Sequence, residues 1–159
     1  MSLFQFSRDD NPKPRERLTP IISVGATDQI TATIVAECVW GIHTHWWHGG
    51  TVPHTDPVET CGYCSEKAPR KWRGFLHVVT RPNFNHGFLE LTDFAYERLL
   101  SVKGARQTLR GLIVLFHRER KTVKSPVVMT YVGEEPPGKI LPKARTPEKT
   151  LKRLWRLPG

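Results

Sequence analysis

Residues 70–91 read RKWRGFLHVVTRPNFNHGFLEL, and the fold class turns on this stretch. Trp72 to Thr80 and His86 to Leu91 are rich in β-branched and aromatic residues, and the intervening Arg-Pro-Asn-Phe-Asn is turn-forming, so the two runs predict paired strands. Side chains alternate across a strand, which places Leu76 and Val78 toward a core and leaves Arg73, Phe75 and His77 facing out. Directly after the second run, Thr92 is a good helix cap, Asp93 suits the first turn, and Phe94, Ala95, Leu99 and Leu100 give an apolar stripe. A short helix is expected from Asp93 to Lys103.

Working outward, Leu109 to Arg118 and Pro126 to Val132 are two more strand candidates, joined by a charged turn. On the N-terminal side Ile30, Ala32, Ile34, Ala36, Cys38, Trp40 and Ile42 alternate with more polar or β-branched neighbours, the period of one long half-buried strand with Cys38 on its inner face. The whole is mostly β: an OB-like small barrel of about five antiparallel strands with one short helix and an inserted loop at 43–64, rich in histidine and cysteine. An SH3-like barrel has a similar profile. Residues 1–20, charged and bearing prolines, read as a flexible arm, and 21–135 as the folded domain. Residues 136–159 read as a basic tail, with seven cations against Glu148 alone, a net of +6 out of the chain's +9. Within it Thr146-Pro147-Glu148 is a helix start.

The inserted loop, HTHWWHGGTVPHTDPVETCGYC over 43–64, carries the clearest chemistry. Cys61 and Cys64 have the Cys-x2-Cys spacing that lets two thiolates of one turn share a tetrahedral ion. His54 leads into that turn through an ordered, proline-bearing loop. His43, His45 and His48 compete for the fourth position, and His45 is preferred because His48 abuts Gly49-Gly50, the turn itself. One structural zinc on His45, His54, Cys61 and Cys64 is therefore expected, with no vacant position for substrate.

The charge balance points to an anionic partner, and nucleic acid is the commonest. Lys67, Arg70, Lys71, Trp72, Arg73, Phe75 and His77 interleave cations with rings, the pattern of a surface that stacks bases and neutralises phosphates. Trp46 and Trp47 in the metal loop and Arg118, Arg120 and Lys121 in the charged turn extend it. Two adjacent tryptophans on an extended segment cannot both be buried.

Cys61-Gly-Tyr-Cys64, the basic Arg70-Lys71-Trp72, the strand Gly74 to Val79, Phe88-Leu-Glu-Leu91 and the helix after it resemble, in order and spacing over about 51–100, the zinc-containing OB-fold single-stranded-DNA-binding proteins of T-even bacteriophages. The resemblance carries metal-ligand roles to His54, Cys61 and Cys64. Two departures stand out: an upstream histidine replaces a cysteine ligand, and the C-terminal stretch is basic where those proteins are acidic. The resemblance implies a non-catalytic, sequence-tolerant protein of replication, recombination or a mobile element, binding single-stranded DNA in preference to RNA.

The runner-up is a zinc-stapled RNA-binding or adaptor subunit that docks protein partners through its basic tail. A zinc deaminase would need a Glu two residues after its ligand His and a Pro before Cys61, and neither is there. No apolar run is long enough to span a bilayer, and three cysteines fit a reducing compartment, so no membrane partner is expected and the localisation reads as cytoplasmic, in a bacterial or phage setting.

Overall fold

In the computed structural model, which describes residues 17–55 and 57–155, the chain folds around one open, mixed sheet of eight strands. Its centre is the long strand β5 (Arg70–Thr80). One edge of β5 pairs with β6 (His86–Leu91), and beyond β6 the short β1 (Ile21–Ile22) lies parallel. The other edge is shared. Its first half pairs with β3 (Trp40–Trp47), its second half with β2 (Gln29–Ile34), and β2 leads on to β7 (Leu112–Arg118) and β8 (Val127–Glu134). A two-residue hairpin joins β3 to β4 (Gly50–Pro53). The mostly β expectation holds, but among the described residues there are eight strands rather than five, the pairing path is open, and three helices replace one: α1 (Gly62–Ser65), α2 (Asp93–Lys103) and α3 (Glu148–Leu154). No helix among the described residues is long and apolar enough to cross a membrane.

The alternation along β5 and β6 feeds two separate layers. Leu76, Val78, Leu89 and Leu91 face α2, whose Ala95 and Leu99 complete the main core with Ala32, Ile34, Val114 and Phe116. Helix α2 begins and ends where expected, capped by Thr92 Oγ1, which accepts from the Ala95 amide. The opposite face carries Phe75 and Phe88. It is closed by Leu151 of α3, with Ile21, Ile42 and Trp155 packed around them.

Of the stretch expected as a tail, residues 136–155 therefore form a covering layer, and 156–159 lie outside the described residues. Arg110 donates to the Leu141 carbonyl, the Arg145 amide donates to His77 Nδ1, and Thr150 Oγ1 donates to the Thr19 carbonyl. Arg145 also donates to Thr19 Oγ1, so 17–20, placed in the expected arm, is fastened to the sheet; residues 1–16 lie outside the described residues. Phe75 and His77, expected on the surface, are only 3% and 1% exposed because this layer lies over them. Alternation gave their face correctly but could not tell that the face is covered.

The long N-terminal strand is broken. Ile34 lies opposite Val78 and Trp40 opposite Phe75, so six residues on this side span three on β5. The three extra residues are an odd number, and an odd insertion reverses which face each later side chain takes. Ile34 thus sits in the main core while Ile42 joins the second layer. Cys38, expected in the core, falls in the break and is exposed.

Candidate metal centre and aromatic groove

The hairpin turn of β3–β4 is His48-Gly49, both at positive φ (46° and 77°), the geometry of a two-residue primed turn that matches strand twist. This explains why His48 is no ligand. The His54 amide then donates to the His43 carbonyl at 2.8 Å, which carries the ladder one residue beyond β4 and sets His54 beside His45. A 3-10 turn at Val58–Thr60 delivers Cys61 to the start of α1. After α1 the chain reverses at Lys67, with φ of 58°, its amide donating to the Cys64 carbonyl. The reversal brings the carbonyls of Ala68 and Pro69 back over the hairpin.

The ligand atoms of His45, His54, Cys61 and Cys64 all lie within 4.8 Å of one another. His45 Nε2 is 3.1 Å from His54 Nδ1 and 3.5 Å from each sulfur, and Cys64 Sγ is 3.4 Å from His54 Nδ1. Four donors on one tetrahedral ion, with metal–ligand bonds of about 2.0–2.3 Å, stand about 3.3–3.8 Å apart. Three of these four spacings fall in that range and the His45–His54 one lies just below it, so the group could hold one metal ion. Its outer contacts agree. His45 Nδ1 is 3.0 Å from the Ala68 carbonyl and 3.2 Å from that of Pro69. Carbonyls only accept, so Nδ1 carries the proton and Nε2 turns its lone pair to the centre. Among the three competing histidines, His45 alone is gathered with the cysteines.

Burial pushes the Cys61 thiol up, but amides of Thr55, Cys64 and Tyr63 and the Cys64 side chain outweigh it and hold the pKa at about 6. A thiol already inclined to ionise suits a metal ligand. Tyr63 packs between His45 and Trp47, with ring centroids 5.8 Å from each. Trp47 is thereby half-buried and Trp46, one residue before it, is 59% exposed. One tryptophan of the pair shows, as extended geometry requires.

The expected nucleic-acid residues are only partly gathered. Trp72 lies over the facing glycines Gly41 and Gly74, where an added Cβ would come within 2.5 Å of its ring, and packs on Tyr96 of α2 at 5.0 Å. It packs closely on the sheet and on α2 and is half-buried. Lys67, Arg70 and Lys71 are exposed around the start of β5. Arg118 is held by the carbonyls of Val24 and Ser125, and Arg120 and Lys121 are exposed in the β7–β8 connection.

What the fold does gather is a groove. Trp46, Arg73, Leu154 and Trp155 line a cavity of about 360 Å³, with Glu90 ion-paired to Arg73 in its wall. A second cavity of about 710 Å³ shares Glu90 and Leu154 and adds Phe94, Arg118 and Lys124. Phe94 is exposed beneath the Arg98 guanidinium, 5.2 Å from its ring. The sequence reading had placed Phe94 in an apolar stripe. Its position off the Ala95–Leu99–Val102 line of the helix was the signal that it faces away from the core. No family model matches the chain, and neither does any curated protein or solved structure.

Proposed function

We propose that this protein is a non-catalytic single-stranded-DNA-binding protein on an OB-like sheet, held together at the β3–β4 hairpin by one structural zinc. The observation that carries the reading is the groove: an exposed indole, Trp46, beside the Arg73–Glu90 ion pair, continuing past Leu154 and Asp93 to Phe94, Lys124 and Arg118. Rings that remain exposed beside cations suit stacked bases and tracked phosphates. The formal net charge of +9 favours such a partner. Two sulfurs and two imidazoles gathered within 4.8 Å of one another suit zinc, and four protein ligands leave no position for a reacting group. The zinc then fixes where Trp46 points, since His45 precedes it on β3 and is a ligand.

The test is a fluorescence titration with oligo-dT, oligo-rU and a duplex of matched length. The expected order is dT, then rU, then duplex, with quenching of tryptophan emission. Trp46→Ala costs about 1–3 kcal/mol, or about 5- to 150-fold in affinity, without changing the salt slope, whereas Lys124→Ala lowers affinity and slope together. Unaltered single-strand affinity in a folded, metal-loaded Trp46→Ala protein refutes the groove.

A further inference from the structure

On another part of the surface, the break between β2 and β3 opens a cavity of about 500 Å³, within the range of small-ligand sites. Three cations line it. The Arg110 guanidinium donates to the main-chain carbonyls of Val35 and Leu141, and Arg145 to the Thr19 hydroxyl and, through its amide, to His77. Lys143 makes no ion pair among the described residues, and neither arginine does. Carbonyl and hydroxyl partners orient a guanidinium without neutralising it, and several of its five N–H groups stay available. The field is felt by the cavity's own wall. Burial, and after it the charges of His86, Arg145 and Arg110, hold His77 down at about 4. Glu37 is the one carboxylate among the described residues of the lining.

The rest of the wall is aromatic. Trp40 stands at the rim, at the boundary between half-buried and exposed, and Phe75 lies behind it. His77, saturated by His86 Nδ1 at 3.0 Å and the Arg145 amide at 2.9 Å, offers a polar but uncharged floor. A flat apolar face next to three uncompensated cations selects a ligand with a planar ring and an anionic group a few ångströms apart. We propose that this cavity binds a nucleoside monophosphate unit, its base against Trp40 and its phosphate on Lys143, Arg110 and Arg145. The unit comes from a free mononucleotide or from the phosphorylated end of a strand. The site does not depend on the groove.

Cys38, exposed in the same wall, supplies the readout. Its alkylation rate, resolved from Cys61 and Cys64 by peptide mass spectrometry, is measured on the metal-loaded full chain. The additives are thymidine monophosphate, thymidine, inorganic phosphate, and oligo-dT with a 5′-phosphate or a 5′-hydroxyl end. The monophosphate, the phosphorylated oligomer or both protect Cys38, which names the source, while thymidine and inorganic phosphate do not. Lys143→Glu, an exposed position that leaves Arg110 and Arg145 to hold the fold, weakens protection by about tenfold or more, the worth of one charge-assisted hydrogen bond. Trp46→Ala leaves it intact, which separates this site from the groove. Protection by thymidine or phosphate equal to that by the monophosphate, protection undiminished in Lys143→Glu, or no protection by any phosphorylated probe overturns the proposal.

Discussion

Helix α3 offers a paired test of the covering layer. Leu151 is 2% exposed, set against Phe75 and Phe88, whereas Leu154, one turn on in the same helix, is 60% exposed. Leu→Ala at a buried site removes the transfer term and leaves a cavity, together about 2–5 kcal/mol. At Leu154 the exposed side chain gives up little, and the gain in helix propensity offsets part of that, so the change stays within about 0.5 kcal/mol. With a urea m-value of about 2 kcal/mol/M, Leu151→Ala lowers the unfolding midpoint by about 1–2.5 M and Leu154→Ala leaves it in place. Both proteins are read by circular dichroism and tryptophan emission at fixed metal loading. Equal midpoints for the two variants would show that 136–155 does not pack on the sheet, and with that the buried positions of Phe75 and His77 would fall too.

Three more outcomes follow. His45→Ala loses the bound metal and much of the protein's stability, while His43→Ala and His48→Ala keep one equivalent, as metal analysis after gel filtration reads. Gly74→Ala drives a Cβ into the Trp72 ring and costs about 1–3 kcal/mol, with a shift in tryptophan emission; unchanged melting refutes the close packing. His77, held at about 4 by burial and by His86, Arg145 and Arg110, takes up its proton in the unfolded chain first, near 6.5. Its contribution is therefore full above about 6.5 and lost as pH falls toward 4, so stability rises with pH across that window, and His77→Gln flattens the slope.

The sequence made the parts with strong local signals readable. Helix α2 was bounded to the residue because Thr92 and the Ala95–Leu99 stripe act locally, and the β5–β6 pair was legible from period two. The four candidate donors that the fold gathers could be named because a Cys-x2-Cys turn and a histidine before it leave few geometries, and the His48-Gly49 turn removes a competitor. What stayed hidden depended on distant partners. Alternation along 30–42 is unbroken in the sequence, so the odd insertion at the β2–β3 break had no local mark, and Cys38 and Ile42 were assigned to the wrong face. Leu151, Leu154 and Trp155 read as a small apolar face on a basic stretch, but nothing local showed that Leu151 and Trp155 pack on the sheet and bury Phe75 and His77. Trp72 looked like a stacking ring because no one-dimensional pattern reveals that Gly41 and Gly74 face each other beneath it.

Thr19 accepts from both Arg145 and Thr150, contacts 126 and 131 residues apart along the chain. A closure of that span costs about 4 kcal/mol of chain entropy beyond the constant term, against about 1.5 kcal/mol for a five-residue hairpin loop. The main core and the candidate metal hairpin draw on residues before 135, so they can form before α3 docks to complete the second layer. Until it docks, Phe75, His77 and Phe88 stand uncovered on the sheet. The long closure thus makes this aromatic face the last to dry and, until then, an adhesive surface.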